Sequence, residues 1–155
     1  MLRLTIAVLA IATICFSSFS AHSQDVAEGA EQWFLDTYAS VWDENAFDRR
    51  DEIAALLDET IYYHPSSGNV EELDGRSWMA EVLQGYKDAD LQRSELVAYT
   101  FDQLNPSTAT YKTKWVDYFA DGSETVECWW YMADKSDDRW VITQFALLDC
   151  NEQSF

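Results

Sequence analysis

Apolar residues recur along this chain with two different periods, and the change of period divides it. In the first half, Trp33, Phe34, Tyr38, Val41 and Trp42 fall on one helical face, with Asp36, Ser40 and Asp43 elsewhere. Asp48 is placed to cap a second, shorter helix whose first turn carries Asp51 and Glu52 and whose apolar face is Ile53, Leu56 and Leu57. A short β-branched and aromatic strand at 60–64 is stopped by Pro65. A loop follows from Ser66 to Gly75. A third helix over about 76–86 then shows Met79, Val82, Leu83 and Tyr86 at helical spacing.

From Leu91 onward the period is two. Strands are predicted at 93–104, 108–119, 124–133 and 139–148, separated by Asn105-Pro106-Ser107, by Asp121-Gly122 and by Lys135-Ser136-Asp137-Asp138. Helices followed by an antiparallel meander predict an α+β domain, with three N-terminal helices packed on a curved antiparallel sheet. The strands carry large apolar groups on both faces. Such a sheet either curves around a filled concave side or meets a partner subunit with its outer face.

The first residues do not belong to this pattern. Arg3 precedes an apolar run from Leu4 to Phe16, too short to span a bilayer, and a Ser-rich exit leads to Ala21-His22-Ser23. This reads as a signal peptide over 1–23, cleaved after Ser23, with one domain over 24–155 in a secreted or periplasmic protein and no membrane contact afterwards. Ile14 before Cys15 argues against lipidation, since a small residue is expected there. Cleavage would remove His22 and Cys15, leaving His64 as the single histidine and Cys128 and Cys150 as the cysteine pair.

Composition narrows the class further. The 155 residues include 28 Asp and Glu against 10 Lys and Arg, a formal net charge of −18, which excludes nucleic acid and anionic membrane surfaces as partners. Aromatic residues make up 15% of the chain, too many for a disordered acidic segment. The single His left after cleavage excludes a multi-histidine metal site, and glycines only at 29, 68, 75, 85 and 122 leave no phosphate loop or dinucleotide fingerprint. There is no Gly-x-Ser-x-Gly elbow, and Ser66 and Ser67 beside His64 do not make a triad. No metal and no cofactor are expected.

An oxidising compartment allows Cys128 and Cys150 to bond. A turn centred near Ser136 would set Cys128 opposite Gln144, leaving Cys150 about 20 Å further along a straight strand at roughly 3.3 Å per residue. A disulfide needs Cα atoms within about 7 Å, so bonding requires the chain to double back after Leu148. Both states stay open.

The order of these elements, with Tyr63-His64-Pro65 ending the first strand, Asp74-Gly75-Arg76 opening the third helix and Asp138-Arg139-Trp140-Val141 opening the last strand, resembles the SnoaL-like branch of the nuclear transport factor 2-like superfamily. The resemblance covers about residues 26–148. It implies a cystatin-like cone, shared with ketosteroid isomerases, scytalone dehydratase and limonene epoxide hydrolase, enclosing a small apolar molecule, and a homodimer through the outer face of the sheet. The superfamily hosts enzymes and non-enzymes, so the alternative is a non-catalytic ligand-binding or protein-interaction domain on the same cone.

Carried over residue by residue, the resemblance places His64 where the isomerases keep a catalytic carboxylate, Tyr38 at their helix-borne hydrogen-bonding Tyr, and Tyr131 at their protonated acid. Two of these three positions depart from the isomerase pattern, so steroid isomerisation itself is not implied. His64 as general base facing two phenols would suit proton abstraction beside a carbonyl, dehydration or cyclisation. The same alignment turns Tyr62, Leu83, Tyr118, Thr143, Phe145 and Leu147 toward the pocket and sets Trp42 near its closed end.

Overall fold

The computed structural model describes residues 29–66 and 68–155, so the expected signal segment 1–23 lies outside the described residues. The first helix, α1, is irregular. Its α-helical start at 29–33 widens into a π-helical turn at Phe34–Tyr38, closed by the Ala39 N–H on the Phe34 carbonyl, and tightens into a 3-10 turn at Ala39–Val41. The wide turn keeps both Phe34 and Tyr38 on the buried face. Phe34 stacks on Tyr111 with 4.0 Å between ring centroids. Arg49 ties off the end of α1, donating from Nη2 to the Val41 carbonyl at 2.9 Å and to Asp43 at 2.7 Å.

The second helix follows a 3-10 turn, Ala46–Arg49, and runs as α2 over Arg50–Ala54. Asp48 therefore does not cap it. That residue sits inside the 3-10 turn, Arg49 takes the cap position without a side-chain bond, and Asp51 and Glu52 alone serve the first turn. Leu57 is not on α2 either; it is the first residue of β1, Leu57–Tyr63.

The loop expected after Pro65 contains a second strand, β2, Glu71–Asp74, paired antiparallel to β1. Asp74 then caps α3, Gly75–Asp88, by accepting from the Ser77 N–H at 2.7 Å. Glycine is required at the first helical position, because a Cβ at Gly75 would lie 2.1 Å from the Asp58 carbonyl oxygen. This contact lets α3 pack closely over β1, with Met79 and Leu83 buried beneath it.

The meander is β3 Leu91–Asn105, β4 Thr108–Phe119, β5 Glu124–Ser136 and β6 Arg139–Leu148. All six strands form one sheet in the order β2-β1-β6-β5-β4-β3. The sheet is mixed rather than purely antiparallel: β1 lies parallel to β6, because the crossover through β2, α3 and the meander returns the chain beside β1 in the same direction. Register shifts leave Val97 of β3 and Thr143 of β6 as the extra residues of bulges, which bend strands and deepen the sheet's curvature. The helices cover the concave side, where Phe34, Tyr111, Ile142 and Phe145 are core.

Cys128 and Cys150 are joined in a disulfide with Cα atoms 5.3 Å apart. The tight turn falls at Asp137-Asp138, both at positive φ, and the bulge adds a further offset, so Cys128 pairs with Leu148 rather than Gln144. A 3-10 turn at Cys150–Glu152, begun by the Asp149 side chain on the Asn151 N–H, folds the chain back over β5.

Candidate functional site

Alternation along β4 and β5 decides what the concave side contains. Odd-numbered residues of both strands face inward: Tyr111, Thr113, Trp115 and Asp117 on β4 pair with Tyr131, Trp129, Glu127 and Thr125 on β5. Together with α1 and α3 they enclose a cavity of about 290 Å³. Its walls are Tyr38 and Trp42 from α1, then Trp78, Met79, Val82 and Tyr86 from α3. Ser94, Trp115, Asp117, Glu127, Trp129 and Tyr131 from β3, β4 and β5 complete the polar side, and Ile142 and Phe145 close it from β6.

Two carboxyl groups stand in this mostly apolar wall. Asp117 is only 2% exposed, and the Ser94 hydroxyl donates to its Oδ1 at 2.5 Å. Burial raises its pKa above the ordinary value; the Ser94 bond opposes the rise and the charge of Glu127 adds to it. Glu127 accepts from the Trp129 indole N–H at 2.9 Å and from the Tyr86 hydroxyl at 3.5 Å. The pocket thus holds one carboxyl that keeps its proton longer than usual beside one held by two donors.

Three phenols complete the polar equipment. The Tyr38 and Tyr131 rings meet edge to face at 5.3 Å. Burial pushes the pKa of each above the ordinary tyrosine value, as it does for Tyr86, where the charges of Glu127 and Asp117 add to the effect. All three stay protonated at neutral pH and serve as neutral hydrogen-bond donors.

The residues expected from sequence divide between this pocket and elsewhere. Tyr38, Tyr131, Trp42 and Phe145 line it. His64 does not. The Tyr63 ring stacks inward on Phe145 at 5.1 Å, and the next residue in an extended chain turns to the opposite face. There Nε2 of His64 donates to the Gln144 side-chain carbonyl at 2.9 Å, and the ring stands edge-on to Trp130 at 6.0 Å. The geometry of a base facing two phenols is therefore not formed by His64.

The same parity places Tyr62 on the outer face, opposite Gln144 and 39% exposed. Tyr118 is also outward, with the Arg93 guanidinium 3.9 Å above its ring. Thr143 is turned away because the β5–β6 bulge leaves it unpaired; its hydroxyl donates to Asp134 at 2.7 Å while Ile142 takes the inward place. Leu147 shares the inner face with Trp129 but lies beyond the cavity, 43% exposed. Leu83 is fully buried under α3 and packs the core rather than the cavity wall.

Sequence reasoning missed Asp117 and Glu127. The signal was present: each is an acid in phase with an apolar inward alternation, Trp115-x-Asp117 on β4 and Glu127-x-Trp129 on β5. A charge at a position whose neighbours two residues away are core breaks the binary pattern, and such breaks mark functional sites.

A six-stranded, strongly bent mixed sheet wrapped on three N-terminal helices around a concave pocket is the nuclear transport factor 2-like, cystatin-like fold. Solved structures of that fold superpose on the chain. A nuclear transport factor 2-like protein of unknown function from Shewanella oneidensis is 18% identical, with a TM-score of 0.61 over 82% of this chain and 99% of its own. A nuclear transport factor 2-like protein with a cystatin-like fold from Novosphingobium aromaticivorans gives 0.59 at 15% identity, over 84% and 88%. A candidate polyketide cyclase from Xanthomonas campestris gives 0.54 at 18% identity, over 83% and 93%. No family model and no curated protein matches the sequence.

Proposed function

We propose that this domain belongs with the SnoaL-like proteins and performs cofactor-independent proton-transfer chemistry, of the lyase, isomerase or cyclase kind, on a small molecule held in the concave pocket. The observation that carries this reading is the pair Asp117 and Glu127 in a cavity otherwise walled by aromatic and aliphatic groups. A carboxyl with a raised pKa is suited to donate a proton, and a carboxylate positioned by two donors is suited to accept one. Tyr38 and Tyr131, as neutral phenols, supply hydrogen bonds to an oxyanion developing between them. The volume of about 290 Å³ sits at the small end of ligand sites and suits a molecule of one or two rings. The candidate cyclase from Xanthomonas campestris is consistent with this class.

Mass spectrometry of the small molecule that co-purifies with the protein tests the assignment. Wild type is expected to release product and Asp117→Asn the unconverted substrate, because the amide keeps the shape but cannot donate the acid proton. The same compound from both, in the same form, supports the non-catalytic binding alternative instead.

Two further features complete the proposal. Export is supported by the Cys128–Cys150 disulfide, which persists in oxidising compartments, and by the signal-like segment; intact mass of the exported protein should start the chain at Gln24. A homodimer across the outer face of the sheet is supported by exposed Tyr62 and by Val126, 50% exposed on the same face. Sedimentation equilibrium should return the mass of two chains, and a single-chain mass at micromolar concentration would contradict it.

A further inference from the structure

We propose that the ligand of this pocket carries a positive charge: a quaternary or protonated amine on an apolar or aromatic body, its cationic end facing Asp117 and Glu127 within a cage of Trp42, Trp78, Trp115 and Trp129. The inference deepens the pocket reading above and rests on it.

The sign of the wall is the first support. Both charged side chains lining the cavity are acids, and none of the described lining residues is Lys, Arg or His. The acids do not sit at opposite ends. Asp117 pairs with Thr125 and Glu127 with Trp115, so the two carboxyl groups are diagonal neighbours on the inner face of adjacent strands and present their oxygens to one part of the cavity. Asp117 is buried and Glu127 half-buried, and the groups that bond them, Ser94, Trp129 and Tyr86, are all neutral, so a positive charge facing these acids would be held favourably. No basic side chain of the lining supplies one, which leaves that part to the ligand.

The chemistry of the remaining wall points the same way. Four indoles line one small cavity. The face of an indole carries negative electrostatic potential and attracts a cation within about 6 Å of the ring, and aromatic cages of this kind recognise quaternary ammonium groups. An uncharged apolar ligand uses the indole surface but leaves the acids with neutral partners only, while an anion opposes acids and indoles alike. The net charge of −18 extends the preference outward, concentrating cations around the whole chain. Hydrophobic area alone therefore does not describe the site: its walls suit a body that is apolar everywhere except for one positive centre.

Phenyltrimethylammonium and tert-butylbenzene test this, since they share one shape and differ by a charged nitrogen in place of a carbon. Each is titrated into the full domain and its affinity read from the indole resonances of the pocket. Phenyltrimethylammonium is expected to bind at least about tenfold more tightly, equivalent to about 1.4 kcal/mol. Glu127→Gln, which keeps an acceptor for the Trp129 N–H, and Asp117→Asn are each expected to reduce that ratio severalfold. Equal or tighter binding of tert-butylbenzene overturns the charge inference and leaves the apolar pocket standing. A ratio that survives both substitutions overturns it as well, because the selectivity then comes from overall charge. If neither compound moves the pocket indoles, the pocket reading itself fails.

Discussion

Replacing Cys128 and Cys150 together by Ala is expected to cost about 3 kcal/mol of folding stability. The two residues are 22 apart in sequence, and the loop they close holds β5 from Cys128 onward and all of β6, so the bond restricts that stretch of the unfolded chain. Cys128 is buried on the outer side of β5, directly behind the strand that carries Glu127 and Trp129 inward. For a domain of this size the loss corresponds to about 10 °C in melting temperature. A thermal scan of the double variant against wild type, without reductant, measures it. Reductant should bring wild type down to the variant and leave the variant unmoved. A shift of no more than a degree or two would show that the 3-10 turn at Cys150–Glu152 holds the C-terminal segment without the bond.

The second large effect concerns Asp117 and runs opposite to the usual direction for a substitution. Asp117→Asn is expected to stabilise the protein at neutral pH. Burial holds the carboxyl above its ordinary value of 3.8, so the folded state binds the proton more tightly than the unfolded state. A group of this kind contributes its full stability below the unfolded value, and the contribution is lost as pH rises through the folded one. The variant carries no such loss, so its melting temperature should match wild type near pH 4 and exceed it increasingly toward pH 7. Asp74 and Asp121 behave oppositely. The Ser77 backbone N–H holds Asp74 low, and the Ser123 hydroxyl with its backbone N–H holds Asp121 low, so their contribution is present above the ordinary value and falls away in acid. Both proteins keep these two caps, and the difference between the melting curves isolates Asp117. A difference independent of pH would mean that Asp117 is ionised as easily in the fold as outside it, and would remove it as a proton donor. A buried acid that costs stability at working pH is the kind of residue retained for chemistry rather than for folding.

How much of this was legible in the sequence varies element by element, for physical reasons. β4 and β6 begin and end where the alternation and the turn residues place them, because Asn105-Pro106, Asp121-Gly122 and Asp137-Asp138 are strong chain reversals. The aromatic face of α1 was equally plain, since Phe34, Tyr38, Val41 and Trp42 are all buried, although nothing in the pattern indicated the π-helical turn that spaces them. β2 was invisible. Its residues Glu71-Glu72-Leu73-Asp74 show almost no apolar alternation, and it is a short, acidic edge strand, a composition that blunts open edges.

Register was the weakest link, and it controlled the site. One bulge between Met132 and Ala133 turns Thr143 from the inner face to the outer one and brings Leu148 opposite Cys128. Parity on β1 did the same to His64: Tyr63 faces Phe145, so its neighbours on either side face out. Tyr131 and Phe145 pair with each other on the inner face and line the cavity. Asp117 and Glu127 were passed over because acids in so acidic a chain read as solvated surface. Only their phase against Trp115 and Trp129 distinguishes them.

The central claim is that ligand chemistry belongs to the concave pocket, not to the His64 face of the sheet. The Trp indole N–H resonances separate the two surfaces in one titration. Trp115 and Trp129 donate to Thr113 and Glu127 in the pocket wall, at 2.9 Å each, while Trp130 stands beside His64 on the other side. Titration with tert-butylbenzene is expected to shift the Trp115 and Trp129 indole signals together along one binding curve and to leave Trp130 in place. Movement of Trp130 with Trp115 and Trp129 unchanged would contradict it, and would return the site to His64.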